Sequence, residues 1–151
     1  MSKPDQANGP QVAGRKGSKT KPVERECQPD AAGCDIGARE IFVGVPADRD
    51  EHPVRKCGTF TSELNGMAEW LVSCGIKTVA MESTGVYWIP VYEAFERHGL
   101  QVQLVNPRNM KNVPGKRTDY HECQWIQYLH SMGLLQGAFR PDAEVRAVRV
   151  L

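Results

Sequence analysis

Short β-branched segments alternate with segments of helical period through most of the chain, and this alternation constrains the fold more than any other feature. The first apolar stretch runs from Ile36 to Val45 and ends at Pro46, which predicts a first strand. After the polar run 47–52, residues 54–60 predict a second strand. Because only a turn separates the two segments, we expect them to pair as an antiparallel hairpin.

The following residues repeat a helix–strand unit. Apolar residues at spacings of three and four predict a first helix that begins at Thr61 or Ser62 and ends at Gly75. The later elements are a strand over 77–81, a helix over 90–98, a strand over 102–105 and a helix over 119–132. Strands that alternate with helices of this length predict an α/β fold, in which a mixed sheet carries helices on its faces.

The two ends of the chain differ from this central part. Residues 1–31 are rich in Gly, Pro, Lys, Gln and Asp, and they predict a disordered tail. Within it, residues 14–21 hold four positive charges and no negative one, which suits either unspecific phosphate contacts or a merely solubilising role. We expect the folded domain over 33–140. Residues 141–151 begin like a helix and keep an apolar stripe to the last residue, which predicts a helix cut short by the end of the chain.

Composition excludes several classes of protein. No stretch approaches the roughly 18 to 20 consecutive apolar residues of a membrane span, and the N-terminus lacks a secretory signal, so we expect a cytoplasmic protein without a membrane partner. The five cysteines are scattered without a C-x-x-C pair, which argues against a disulfide framework and a zinc knuckle. The formal net charge is only +1, so a nucleic-acid function must rest on where the charges lie.

Four acidic residues are candidates for chemistry. Glu82 directly follows an apolar strand, where a carboxylate is costly unless it is paired or binds a cation, although an exposed turn explains it equally well. Asp35 lies at the start of the first strand, where an aspartate also serves as a turn former. Asp119 and Glu122 are three residues apart at a helix start, which suits shared cation binding. The same spacing suits a capping box with Asp119 as the cap, and local sequence favours that interpretation.

A basic loop precedes the third helix. Residues 107–117 hold four positive charges and no acid, and the charges belong to Arg108, Lys111, Lys116 and Arg117. Basic side chains beside carboxylates suit phosphodiester chemistry, because the cations hold the backbone while the carboxylates hold metal ions at the scissile phosphate. Magnesium prefers oxygen ligands and takes only a few carboxylates, so the four acids can serve two Mg²⁺ ions, with Mn²⁺ as a substitute.

Five segments in order resemble one protein family. They are CDIGAREI at 34–41, VAMESTGVYW at 79–88, VNP at 105–107, KNVPGKRTD at 111–119 and CQWIQYLH at 123–130. Together they resemble the N-terminal domain of the insertion-sequence 110 family of transposases, particularly its 1111 subgroup. The resemblance extends from residue 33 to residue 151.

The resemblance implies a ribonuclease H-like fold related to the RuvC resolvases, whose D-E-D-D set binds magnesium ions for DNA cleavage and strand transfer. Asp35, Glu82 and Asp119 match the first three positions of that set. Glu122 stands at the fourth position, which is normally aspartate, and its longer side chain moves the carboxylate outward by one methylene.

The resemblance also implies partners. Family members carry a C-terminal domain with a nucleophilic serine, and they use a noncoding bridge RNA to choose target and donor DNA. We therefore expect DNA and a bridge RNA as partners and a homo-oligomer when the protein is full length. Because residues 141–151 stop before such a domain, we expect this chain to be inactive alone.

Two other functions compete with a transposase. The first is a non-catalytic nucleic-acid-binding remnant with the same fold, which differs from the enzyme in whether metal supports DNA cleavage. The second is a sugar-kinase-like ATPase, whose first phosphate loop can also begin with Asp-Ile-Gly. That fold needs further glycine-rich phosphate-binding turns, and none follows.

Overall fold

A computed structural model describes residues 27–83, 85–107, 114–116 and 121–135. Within these residues, five strands form one sheet and three helices flank it. The elements in chain order are β1 (Ala31–Ile36), β2 (Glu40–Gly44), β3 (Val54–Gly58), α1 (Thr61–Ser73), β4 (Thr78–Ser83), α2 (Trp88–Arg97), β5 (Gln101–Val105) and α3 (Glu122–Ser131). Residues 1–26 of the tail predicted over 1–31, and the helix start predicted over 141–151, lie outside the described residues.

The sheet is mixed, as the alternation of strands and helices predicts. Its strand order is β3-β2-β1-β4-β5. The pairs β1–β2 and β2–β3 are antiparallel, whereas β1–β4 and β4–β5 are parallel. The α/β class and the ribonuclease H-like arrangement are therefore confirmed. No helix in the described ranges is both long and apolar enough to cross a membrane.

The prediction of a single first strand is wrong, because that region forms two strands. β1 ends at Ile36, and the Gly37 N–H donates to the Glu40 carbonyl oxygen at 3.0 Å in the turn that leads to β2. The sequence pattern missed β1 because it opens with Ala31, Ala32 and Gly33, which lack the β-branched side chains typical of strands. The described fold also begins inside the predicted tail of residues 1–31, since β1 starts at Ala31.

The three predicted helices are all present, with shifted ends. α1 ends close to Gly75, whose φ of 78° fits a glycine-terminated helix. α2 begins at Trp88, two residues earlier than predicted, and Pro90 is tolerated because it lies in the first turn. α3 begins at Glu122, and its cap is His121, whose backbone N–H donates to Gln124 Oε1 at 3.1 Å. The capping box of α3 therefore joins His121 and Gln124, two residues further along the chain than the predicted pair Asp119 and Glu122, and Asp119 lies outside the described residues.

The two faces of the sheet carry different helices. On one face, α1 and α2 cover an extensive apolar core, in which Ile41, Leu71, Met81 and Phe95 are fully buried. On the other face, α3 covers a smaller core made of Ala80, Val105, Trp125, Ile126 and Leu129. We call these the α1/α2 face and the α3 face. Because side chains along a strand alternate between faces, β4 and β5 supply residues to both cores.

Candidate active site

Asp35 and Glu82 occupy neighbouring positions on adjacent strands. Asp35 of β1 pairs with Glu82 of β4 in the parallel register, at the carboxyl ends of both strands. Their sequence neighbours Cys34 and Met81 belong to the core of the α1/α2 face, so the alternation of side chains places both carboxylates on the α3 face. Each carboxylate is partly buried. The edge of the sheet therefore brings together the first two members of the predicted acidic set.

Two glycines bring the start of α3 against this part of the sheet. Gly33 of β1 and Gly44 of β2 are paired in the register, and both face the backbone of α3. A Cβ on Gly33 would lie 2.3 Å from the Cys123 carbonyl oxygen and 2.3 Å from the Gln127 nitrogen. A Cβ on Gly44 would lie 3.3 Å from the same Cys123 carbonyl. Only residues without a side chain permit this approach, which places Glu122 close to the strand carboxylates.

A stacking contact between two aromatic rings positions the residue that caps α3. The His121 ring stacks on Phe42 of β2, with ring centroids 6.2 Å apart and an interplanar angle of 19°. Phe42 lies on the α3 face, one position from the core residues Ile41 and Val43. The contact fixes the N-terminal end of α3 on the sheet next to Glu122.

The three carboxylates interact electrostatically. Burial raises the pKa of Asp35, and the negative charge of Glu122 raises it further. Burial likewise raises the pKa of Glu82, and the charges of Glu122 and Asp35 add to the effect. Partly buried carboxylates that repel one another at neutral pH form a centre of negative potential, which a cation would stabilise.

Lys116 supplies the positive charge described at this site. Its Nζ forms an ion pair with Glu122 Oε2, and the two side chains are 41% and 36% exposed. The same ammonium lowers the pKa of both Asp35 and Glu82, against the larger effect of burial. Glu82 Oε2 is buried and has no hydrogen-bond partner within the residues that the structure describes. A buried carboxylate oxygen without a donor is costly, and a metal ion is one partner that would satisfy it.

The model of the DEDD transposase family of insertion sequence 110, described as a transposase, matches residues 32–151. This chain belongs to that family. No curated protein matches it. Membership in a transposase family implies DNA as a partner, and families of this DEDD type generally use divalent metals.

The other predicted site residues of this transposase domain lie outside the described part of the chain. They are Asp119 of the acidic set and Arg108, Lys111 and Arg117 of the basic loop. Within the described ranges, no group of three or more His, Cys, Asp or Glu side chains could hold a metal ion as placed. The structure thus places Asp35, Glu82, Glu122 and Lys116 in one neighbourhood, and their roles stay predictions.

Several residues that shape the site of the transposase domain were missed in the sequence. Gly33 and Gly44 carry no motif, and their role becomes visible only when the pairing of β1 and β2 puts them under α3. Phe42 was missed too, because in the sequence it is an ordinary strand residue and only the assembled fold shows its contact with His121. The spacing of apolar residues over 119–132 did predict that a helix would follow the basic loop, which was the signal closest to this arrangement.

His130 has a structural role in the transposase domain. It is 2% exposed, and a hydrogen bond of 3.0 Å joins its Nε2 to Thr78 Oγ1 at the start of β4. Burial lowers the pKa of His130 to about 4, so the ring is neutral at pH 7. Thr78 lies at the opposite end of β4 from Glu82, which separates this histidine from the carboxylates.

Proposed function

We propose that this transposase domain cleaves and transfers DNA phosphodiester bonds with divalent metal ions held by Asp35, Glu82, Asp119 and Glu122. The observation that carries the proposal is the pairing of Asp35 with Glu82 in adjacent parallel strands, where Glu82 Oε2 is buried without a hydrogen-bond donor in the described residues. Oxygen-rich sites of this charge suit magnesium, and manganese is a chemically reasonable substitute. Asp119 enters the set by its place in the family motif, since it lies outside the described residues.

Three of these carboxylates lie in the described residues and would hold the metal ions from two strands and one helix. Asp35 and Glu82 project from paired strands, which gives two ligands a rigid spacing. Glu122 adds a ligand from α3, whose position is fixed by the close contact with Gly33. Bound divalent ions would supply Lewis-acid stabilisation of the phosphate and lower the pKa of an attacking water. The raised pKa values of Asp35 and Glu82 fit this role, because a bound cation would reverse the repulsion between the carboxylates.

Basic residues would position the DNA. Lys116 lies among the carboxylates, and Arg108, Lys111 and Arg117 belong to the same loop in the sequence. Contacts from such residues to phosphates fix the register of a duplex without reading its sequence. A bridge RNA, a homo-oligomer and membership in the 1111 subgroup stay predictions that rest on the resemblance alone.

A non-catalytic nucleic-acid-binding domain is the second candidate. It is favoured by the absence, among the described residues, of a three-ligand group that could hold a metal ion. The ion pair of Glu122 with Lys116 points the same way, since it gives one carboxylate a partner without metal. The family match supports a transposase rather than the sugar-kinase-like ATPase.

Calorimetric titration of Mn²⁺ tests the proposal. The wild-type chain is compared with the double variant Asp35→Asn, Glu82→Gln and with a control double variant, Glu51→Gln, Glu69→Gln. The control removes the same charge from exposed positions in the β2–β3 turn and on α1. We expect the wild type and the control to bind Mn²⁺ and the site variant to lose binding.

Cleavage of a fluorescently labelled DNA duplex with and without Mn²⁺ then separates the two candidates. Metal-dependent cleavage by the wild type and control, but not by the site variant, supports the catalytic function. Equal metal binding by all three proteins would contradict the proposed site. Metal binding that supports no cleavage while DNA is still bound would fit both the non-catalytic candidate and a catalytic domain that needs a C-terminal domain, so metal-dependent cleavage is the result that distinguishes them.

A further inference from the structure

The positive charge of one lysine acts on all three carboxylates that the structure places at the site. Lys116 forms its ion pair with Glu122, which is the carboxylate on the helix. Its charge also acts on Asp35 and Glu82, which are the carboxylates on the strands. An ion pair as exposed as this one ordinarily contributes little to stability. Its position among three carboxylates therefore suggests a role other than holding the fold together.

We propose that Lys116 is an internal counter-ion that occupies the carboxylate site in the metal-free protein, and that a divalent cation displaces it toward a phosphate of bound DNA. The inference rests on the proposed function, because it concerns the same carboxylates. It adds that the chain regulates its own affinity for metal. It also gives one side chain two successive partners, first Glu122 and then the nucleic acid.

The Lys116 ammonium and a metal ion would compete for one carboxylate oxygen. The Lys116 ammonium contacts Glu122 Oε2, so a metal ion that takes this oxygen must share it with the ammonium or replace it. A single positive charge leaves three carboxylates undercompensated, whereas a divalent ion compensates them better. Two cations in one small site repel each other, which makes replacement the favoured outcome.

The loop gives Lys116 room to leave. The turn at Pro114 and Gly115 directly precedes it, and both turn residues are exposed. Gly115 has a φ of 101°, and a Cβ built there would meet nothing within 4 Å. The space on the side-chain side of Gly115 is therefore open, and the exposed Lys116 side chain has room to reorient. A freed ammonium beside a metal site is well placed for a phosphate oxygen.

Reciprocity makes the inference measurable. If metal weakens the ion pair between Lys116 and Glu122, the ion pair must weaken metal binding by the same factor. Removing the lysine charge should then raise the metal affinity of the site. A lysine whose charge does not act on the metal ligands would leave the metal affinity unchanged, and displacement itself is followed by the spectroscopic measurement below.

Mn²⁺ titration of the wild type, Lys116→Met and Lys116→Arg tests this reciprocity. We expect Lys116→Met to bind Mn²⁺ about tenfold more tightly, a coupling of ordinary size, and Lys116→Arg to stay close to the wild type. Equal or weaker binding by Lys116→Met would overturn the inference while the metal site stands. If neither the wild type nor Lys116→Met binds Mn²⁺, the metal site itself is absent and the inference fails with it.

A spectroscopic measurement follows the lysine directly. In a ¹⁵N spectrum selective for lysine ammonium groups, the Lys116 signal is identified by its absence from Lys116→Arg. We expect the signal in the metal-free wild type, where the ion pair slows proton exchange, and its loss on saturation with Mg²⁺. A signal that persists at saturating Mg²⁺ would show that the ion pair survives, which contradicts displacement.

DNA binding tests the second partner. When Mg²⁺ is present, Lys116→Met should make the plot of log DNA affinity against log salt concentration less steep. The change should equal the contribution of about one phosphate contact. Without Mg²⁺ the slope should match that of the wild type, because the lysine is then held by Glu122. The same slope for both proteins in Mg²⁺ would overturn the transfer of Lys116 to DNA.

Discussion

The two faces of the sheet are built on different principles. On the α1/α2 face, large side chains such as Leu71, Met81 and Phe95 interlock, and the strands present branched or apolar residues to both helices. On the α3 face, the strands present glycines and carboxylates, and α3 lies directly on the backbone at Gly33. One face gains stability from apolar burial. The other gives up part of that burial to hold charged groups at one edge.

Stability and function are therefore separable on one face of the sheet and coupled on the other. A change on the α1/α2 face should alter the free energy of unfolding and leave the site of the folded protein intact. A change on the α3 face should alter both, because the same packing that stabilises α3 also places Glu122. Carboxylates there should even destabilise the metal-free fold, since the pKa values of Asp35 and Glu82 are raised.

Phe95→Ala is expected to have the largest effect on stability. Phe95 is fully buried on α2 in the core of the α1/α2 face, so the substitution leaves a cavity and should cost about 4 kcal/mol. Urea denaturation measures the loss. Under conditions where the variant is folded, its Mn²⁺ affinity should equal that of the wild type. A large change in metal affinity would break the separation of the two faces.

Gly33→Ala should combine a stability loss with a loss of metal binding. The new Cβ would meet backbone atoms of α3 at 2.3 Å, and backbone cannot move aside as a flexible side chain can. We expect the free energy of unfolding to fall by about 3 kcal/mol. Mn²⁺ binding should also weaken, because a displaced α3 moves Glu122 away from the sheet.

Gly66→Ala is the matched control for this change. Gly66 lies within α1, and a Cβ built there meets nothing within 4 Å. Alanine is the better helix former, so the control should stabilise the protein by roughly 0.5 to 1 kcal/mol. A Gly33→Ala protein as stable as the wild type would mean that α3 does not depend on the glycine contact.

Sequence patterns predicted most of this architecture because the elements obey their own periodicities. The apolar spacing in 61–75 found α1 without tertiary information, and the apolar run before Glu82 found β4. β1 was missed because Ala31, Ala32 and Gly33 are small, and their burial depends on what packs over them. Such residues carry no local preference for a strand, so only the assembled sheet explains them.

The sequence was sufficient to select the four acidic residues, but it did not predict what surrounds them in the fold. Asp35 and Glu82 were separated by 46 intervening residues, and only the parallel register makes them neighbours. The capping box of α3 joins His121 and Gln124 instead of the predicted pair, and the sequence did not indicate this because histidine is not among the preferred cap residues. The ion pair of Lys116 was not foreseen either, since the sequence offered the basic loop only as a phosphate contact.

His130 gives the α3 face a pH dependence of its own. Its pKa is lowered from 6.5 to about 4 by burial, so the unfolded chain binds the proton more readily than the folded one. The stability contributed by the neutral ring is therefore fully present above pH 6.5 and should fall by roughly 3 kcal/mol as the pH drops from 6.5 to about 4.

The comparison of wild type with His130→Gln isolates this contribution. Asp35 and Glu82 act in the opposite direction, because groups with raised pKa values favour the folded state as they become protonated. Since both proteins keep the carboxylates, thermal unfolding from pH 7 to pH 4 should show a steeper fall for the wild type. Parallel curves would mean that burial does not suppress protonation of His130.

Glu82→Gln should give the smallest change and the one that tests the α3 face most directly. In the metal-free protein at pH 7, the ionised Glu82 is repelled by Glu122 and Asp35, and its Oε2 has no donor in the described residues. A neutral amide removes the repulsion, so the variant should be more stable by about 1 kcal/mol. The gain should shrink as the pH falls, because Glu82 itself then becomes protonated and neutral.

Addition of Mn²⁺ should reverse the order of the two unfolding temperatures, since only the wild type gains stability from the bound ion. Glu69→Gln, at an exposed position on α1, should unfold like the wild type with and without metal. If Glu82→Gln is less stable than the wild type in metal-free buffer, the carboxylate holds the fold together rather than holding a place for a cation.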